Sequence, residues 1–170
     1  MKLRKLEKKD AVFMLEWMHD PSVVENLQTD FASKTIGDCE RFIEDAADES
    51  SHLHLAIVDA TDTYMGTVSL KHITDDSAEF AITVRREAMG KGVSKYGMAE
   101  IIRIGLEERM LKRIYWCVDP VNHRAVRFYD KNGYKRVDLL QNEGLLQHIV
   151  NQGGYSSDQI KAFIWYQCAI

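Results

Sequence analysis

Apolar side chains recur with two different periods along this chain, and the switches between them predict its elements. Leu3 and Leu6 sit among charges and predict a short opening strand. Phe13, Met14, Trp17 and Met18 fall at helical spacing behind Asp10, a fitting cap, and Pro21 stops that helix at Asp20. A second helix is predicted over Gly37–Ala47. It buries Phe42, Ile43 and Ala46 and turns Glu40, Glu44, Asp45 and Asp48 to water. Period two then takes over. Leu53, Leu55 and Ile57 share one strand face, Met65–Leu70 reads as the return strand, and Ala78, Phe80, Ile82 and Val84 line a third. Helical spacing returns from Val93 to Met110, with Met98, Ile101, Ile102, Leu106 and Met110 as its stripe. Arg113–Val118 is a strand, and Asn122–Asn132 a short helix stopped by Gly133. Tyr134–Leu140 and Ile160–Cys168 are further strands, the last closing the sheet. Alternating strands and helices give an α/β (α+β) domain.

Composition narrows the class. A chain of 170 residues, 45% hydrophobic and with two prolines, suits one domain over residues 1–170 with a real core and no long linker. A net charge of -4 speaks against nucleic acid as a partner. Cys39, Cys117 and Cys168 are odd in number and widely spaced, so neither a disulfide framework nor a metal cluster is expected, and a reducing cytoplasm is. His19, His54, His72, His123 and His148 show no metal-ligand spacing. No apolar run reaches membrane-spanning length, and Met1–Glu7 lacks the apolar core of a signal peptide. No membrane partner is therefore expected.

The candidate chemistry lies in Glu87–Gly97, where Gly90 and Gly92 flank Lys91 between a predicted strand and a predicted helix. Helix N-termini present unpaired N–H groups and a positive dipole end, and glycines let the backbone approach a phosphate closely. Ser94 sits in the first turn, with Arg85, Arg86 and Lys95 nearby. An ordinary turn using glycine for positive φ fits the same residues. A dinucleotide fold does not: it wants its glycines after the first strand, and Glu107 and Glu108 fall inside a helix. No Gly-Lys-Ser/Thr ends the turn, so a P-loop is excluded as well.

Two spaced motifs carry a resemblance. The pattern Q/R-x-x-G-x-G/A is met by Gly90 and Gly92, with Glu87 at the place of Gln or Arg. The pattern N-x-x-S/A-x-x-x-Y-x-K-x-G-F/Y is met in full by Asn122, Ala125, Tyr129, Lys131, Gly133 and Tyr134. The chain thus resembles the GNAT superfamily of acetyl-CoA-dependent N-acetyltransferases over nearly its whole length. Its tail, Glu143–Phe163, resembles the branch that acetylates protein N-termini, small amines and amino sugars, with Gln147 where that branch often has Arg.

The resemblance implies a mixed, mostly antiparallel sheet with splayed central strands, flanked by about four helices. It implies acetyl-CoA as co-substrate and no metal. Pantetheine would run along the backbone of Ile82, Thr83 and Val84 as an added strand, and the pyrophosphate would lie on Met89, Gly90, Lys91, Gly92, Val93 and Ser94. Asn122 would contact the pantetheine arm or cap its helix. Tyr129 is the expected general acid and Glu79 the candidate base, with the backbone N–H near Val84 as oxyanion donor. Cys117 reads as packing, which leaves direct transfer without an acyl-enzyme. Trp17, His19 and the Asp20–Phe31 loop are candidates for the acceptor wall. The acceptor is expected to be a small primary amine, an amino sugar or polyamine ahead of a protein N-terminus, and the protein a monomer or homodimer. A non-catalytic acyl-CoA sensor of the same fold stays open as the alternative, on the departures at Glu87 and Gln147.

Overall fold

A computed structural model describes residues 1–169; Ile170, the last residue of the expected domain, lies outside the described residues. The first elements are β1 (Lys2–Lys5), α1 (Ala11–Met18), α2 (Pro21–Val24) and α3 (Ile36–Asp45). A meander of β2 (Leu53–Val58), β3 (Tyr64–Lys71) and β4 (Ser77–Val84) leads into α4 (Val93–Arg103). Then come β5 (Arg113–Val118), α5 (His123–Lys131), β6 (Lys135–Val137), α6 (Glu143–Gln152), α7 (Ser157–Ala162) and β7 (Ile164–Ala169). The strands form one sheet in the order β1-β2-β3-β4-β5-β7-β6, antiparallel except where β4 meets β5.

Hydrophobic alternation sorts the two faces. Leu55, Ile57, Val68, Leu70, Phe80 and Val84 pack beneath Met98 and Ile101 of α4, together with Trp116 and Tyr129. On the other face, Ala56, Val58 and Tyr64 meet Met14, Trp17 and Met18 of α1, while Tyr115 and Trp165 meet Leu145 and Ile149 of α6. Helices on both faces of a single sheet therefore bury its inner strands on both sides, while the edge strands β1 and β6 stay partly exposed.

Several boundaries differ from the sequence expectation, each for a local reason. Asp10 does not cap α1; it is buried and accepts from the Arg4 guanidinium at 2.7 and 2.8 Å and from Glu7 N at 2.8 Å. A buried carboxylate takes the strongest donors in reach, and a guanidinium outbids a helix N–H. Pro21 both ends one helix and opens α2, where its fixed φ suits the first turn and Asp20 accepts from Ser22 N. The helix from Val93 loosens into a π turn over Ile104–Glu108, so Met110 emerges at φ 57 and 73% exposed instead of joining the stripe. Tyr134–Leu140 yields only the three-residue β6, and Ile160–Ala162 belongs to α7. The last strand does not close the sheet at its edge; β7 inserts between β5 and β6.

Candidate active site

β4 and β5 pair only through Ser77–Glu79 and Arg113–Tyr115, and beyond that point the strands part. The ladder on the other side of β4 fixes which backbone groups face the gap. Arg85 N donates to Met65 O at 3.0 Å, and Thr67 lies opposite Thr83 in the same register. Antiparallel pairing alternates, so Arg85 and Thr83 point their backbone groups at β3, and Ile82 and Val84 point theirs away from it, into the gap. This revises the sequence reading at one residue. Ile82 and Val84 are free to pair with an extended arm, whereas the backbone of Thr83 is already used. The gap opens into a cleft of about 530 Å³ lined by β4, β5, the glycine turn and the start of α5.

Gly90 and Gly92 have φ of 75° and 79°, and no heavy atom lies within 4 Å of where a Cβ would stand. Backbone conformation, not crowding, demands glycine there, and the space above the turn stays open. Gly92 is also the N-cap of α4 and has no side chain to accept from the first N–H groups. They are left pointing outward at the positive end of the helix, as an anion needs. Met89, Gly90 and Ser94 line the cleft, while Lys91 and Gly92 stand exposed beside it. Val93 turns its side chain into the core, so only its backbone is available.

Arg85 is not part of this cradle. Its guanidinium is buried, grips both Glu16 oxygens at 2.7 and 2.8 Å, donates to Tyr64 O and lies 4.5 Å above the Phe13 ring. It fixes the exit from β4. Glu87 is exposed, 3.5 Å from Arg85. The cation on the cleft wall beside the glycine turn is Arg124 of α5, whose Nη1 lies 2.9 Å from Met89 Sδ, while Lys71 lines the cleft near Glu79. The sequence reading missed it.

α5 begins with Asn122, whose side chain accepts from Ala125 N at 3.1 Å while the residue also lines the cleft. Two residues past Lys131, the last of α5, Gly133 turns the chain away at φ 78. This short helix carries Tyr129 into an aromatic box of Trp116, Phe128, Tyr134 and Tyr166, with ring centroids 5.1 to 6.2 Å away. The Tyr129 hydroxyl has no hydrogen-bond partner among the described residues, and the residue lines the cleft. Burial, then the neighbouring Cys117, pushes its phenol well above the usual tyrosine range. It stays protonated at neutral pH.

Glu79 lies across the gap from that box. Alternation along β5 sends Trp116 toward Tyr129 and sends Tyr115 and Cys117 to the opposite face, where Glu79 is. Glu79 is 4% exposed. Its Oε1 accepts from Tyr155 OH at 2.6 Å and from Lys71 Nζ at 3.0 Å, and its Oε2 lies 3.7 Å from His72 Nε2. Burial pushes the Cys117 thiol up to about 12, so it is no ready nucleophile.

The Asp20–Phe31 segment contributes Val23, Asn26, Leu27, Gln28 and Thr29 to the cleft. Trp17 does not reach it. It donates to Tyr64 OH at 3.2 Å and walls a second cavity of about 540 Å³ between α1, α3 and the sheet, which shares Lys71 and Ala81–Thr83 with the cleft lining. His19 lines neither; it is exposed and its Nε2 meets Lys34 O at 2.8 Å, tying down the loop. Gln147 points along α6 to Asn151. Among the described residues no group of three or more His, Cys, Asp or Glu side chains is placed to hold a metal, and no helix is long and apolar enough to cross a membrane.

Known proteins share this architecture. The chain resembles the spermidine N-acetyltransferase from Vibrio cholerae, solved with CoA and spermine, at a TM-score of 0.72 and 22% identity, covering 81% of this chain and 82% of that one. A GNAT-family acetyltransferase from Bacillus anthracis matches at a TM-score of 0.74 and 18% identity, covering 98% of this chain and 93% of that one. At such identities the likeness is one of fold. No curated protein matches by sequence. The family model for the acetyltransferase (GNAT) domain, however, matches residues 1–135, the part that holds the splayed strands, the glycine turn and Tyr129. The chain belongs to the GNAT acetyltransferase family and is an acetyl-CoA-dependent N-acetyltransferase.

Proposed function

We propose that residues 1–170 act as one catalytic unit that passes acetyl from acetyl-CoA straight to a small primary amine, with an amino sugar or a polyamine as the acceptor class. The observation that carries this is the pairing of Tyr129 and Glu79 across one gap. Each reaches the same cleft from an opposite face of the sheet. The thioester carbonyl would then lie between a proton donor and a carboxylate, and the two substrates would enter from different sides. Support for a polyamine comes from the Vibrio cholerae neighbour solved with spermine.

In this reading Ile82 and Val84 hold the pantetheine arm, and the N–H groups of Met89–Ser94, with Arg124, hold the pyrophosphate. An acceptor amine of pKa ~10 costs about 4 kcal/mol to hold neutral at pH 7, and the free oxygen of Glu79 takes that proton. The amine attacks the carbonyl carbon, the Val84 N–H meets the oxyanion, and the C–S bond breaks as Tyr129 protonates the departing thiolate. Cys117 remains a thiol, so no acyl-enzyme intervenes. Its free state, with Cys39 and Cys168, suits the reducing cytoplasm where acetyl-CoA is made.

Release of the CoA thiol, measured with spermidine, an amino-sugar nucleotide and short peptides, tests the acceptor class. The expected result is a higher kcat/KM for one of the first two. Turnover of peptides alone would overturn the assignment.

A further inference from the structure

Tyr155 belongs to the stretch after residue 135, where the family match ends, yet it makes the shortest contact with Glu79. It sits between α6 and α7, 76 positions from its partner. The whole segment is hooked onto the one place where the central strands still pair. Tyr115, the register partner of Glu79, donates to Gln152 Oε1 at 2.6 Å, and His148 lies 3.1 Å from Gln152 Nε2 and 3.4 Å from Ser77 Oγ. The Tyr155 ring is wedged edge-on against Trp165 and Phe163, at 5.2 and 6.3 Å, which leaves its hydroxyl little freedom.

From this geometry we propose that Tyr155 is a positioning residue for the base: its hydroxyl occupies one oxygen of Glu79 so that the other faces the acceptor amine. The proposal rests on Glu79 being the base. Oε1 already receives two donors, Tyr155 and Lys71, and is saturated; Oε2 has only the imidazole of His72, at 3.7 Å, among the described residues. Proton abstraction therefore falls to Oε2. A carboxylate on a strand rotates about its last torsion with little resistance, and a fixed charge-assisted hydrogen bond removes that freedom. Tyr155 lines the cleft together with Cys117 of β5 and Glu79 of β4, at the point where the two strands diverge. Burial, then Cys117 and Glu79, pushes its phenol far above the ordinary range, and it serves only as a donor. The C-terminal segment thereby adds a second donor to a carboxylate oxygen that Lys71 of the matched residues already holds.

A double-mutant cycle tests this. Tyr155→Phe keeps the ring against Trp165 and Phe163 and removes the hydroxyl alone. Its kcat is expected to fall ~10-fold, the scale of losing a hydrogen bond to a charged group, with acetyl-CoA affinity by calorimetry unchanged. In a Glu79→Gln background the same change is expected to alter kcat by less than ~2-fold, because a positioning group has nothing left to position. A fall in Glu79→Gln with no fall in Tyr155→Phe overturns the role of Tyr155 and leaves the base standing. Equal falls from Tyr155→Phe in both backgrounds show a merely structural side chain and overturn it too. An unaltered rate in Glu79→Gln removes the base and the proposal together.

Discussion

Replacing Tyr129 with Phe isolates one proton. The ring stays in its box with Trp116, Phe128, Tyr134 and Tyr166, and the hydroxyl that is lost has no partner in the fold among the described residues. No buried group is stranded, so the change in stability should stay within about 0.5 kcal/mol, the range of substitutions away from packing and hydrogen-bond networks. The chemical step should suffer far more. A positioned acid contributes at least ~10²-fold, equivalent to about 2.7 kcal/mol of barrier, and a phenol held protonated by burial is such an acid throughout neutral pH. Initial rates of thiol release at saturating substrates should therefore drop ~10²-fold while acetyl-CoA affinity and the thermal midpoint hold. Tyr166→Phe is the control: its hydroxyl donates to Asp130 at 3.0 Å, so it should lose stability and keep its rate. An undiminished rate in Tyr129→Phe would return that residue to the core, and a lowered midpoint would mean that its hydroxyl has a partner after all.

Two further outcomes follow from single groups. Gly92→Val places a β-branched side chain at φ 79, a strain of about 1–2 kcal/mol or more, and tilts the first turn of α4. CoA affinity measured by calorimetry should fall, and an unchanged affinity would displace the pyrophosphate from this turn. His54 is lowered to about 4, first by burial and then by His52 and Lys71, whereas an unfolded imidazole titrates near ~6.5. The unfolded chain takes the proton first, so the stability held by neutral His54 is complete above pH ~6.5 and is lost as pH falls toward 4, by roughly 2 kcal/mol at pH 5. Denaturant midpoints at pH 7 and pH 5 should show this loss, and His54→Gln should shrink it.

What the sequence disclosed and what it hid divide along one physical line. The glycine turn was legible because Gly90 and Gly92 answer a demand of their own backbone, and Asn122 because a cap bonds within three residues of itself. Tyr129 was legible because its register is set by that same cap. The errors lie where a distant partner outweighs a local preference. Asp10 had every local reason to cap α1, but Arg4 on the neighbouring strand claimed its carboxylate. Arg85 lies near the glycine turn in sequence, but Glu16 and Phe13 draw its guanidinium away from it. Thr83 counted as a contact to the arm because sequence gives a strand's residues but not which neighbour its ladder faces; pairing with Thr67 decides that. Tyr155 is the extreme case. The tail resemblance covered it without giving it a role, because its partner stands 76 residues away on a strand whose pairing has just ended. A long-range donor holds a carboxylate differently from a local one. A donor adjacent in sequence would move with the strand, whereas one delivered from another element fixes the carboxylate against the sheet as a whole. In the proposed mechanism the docked C-terminal segment adds the Tyr155 hydroxyl to the grip that Lys71 already has on Glu79 Oε1, so Tyr155→Phe should loosen the carboxylate while sparing the glycine turn.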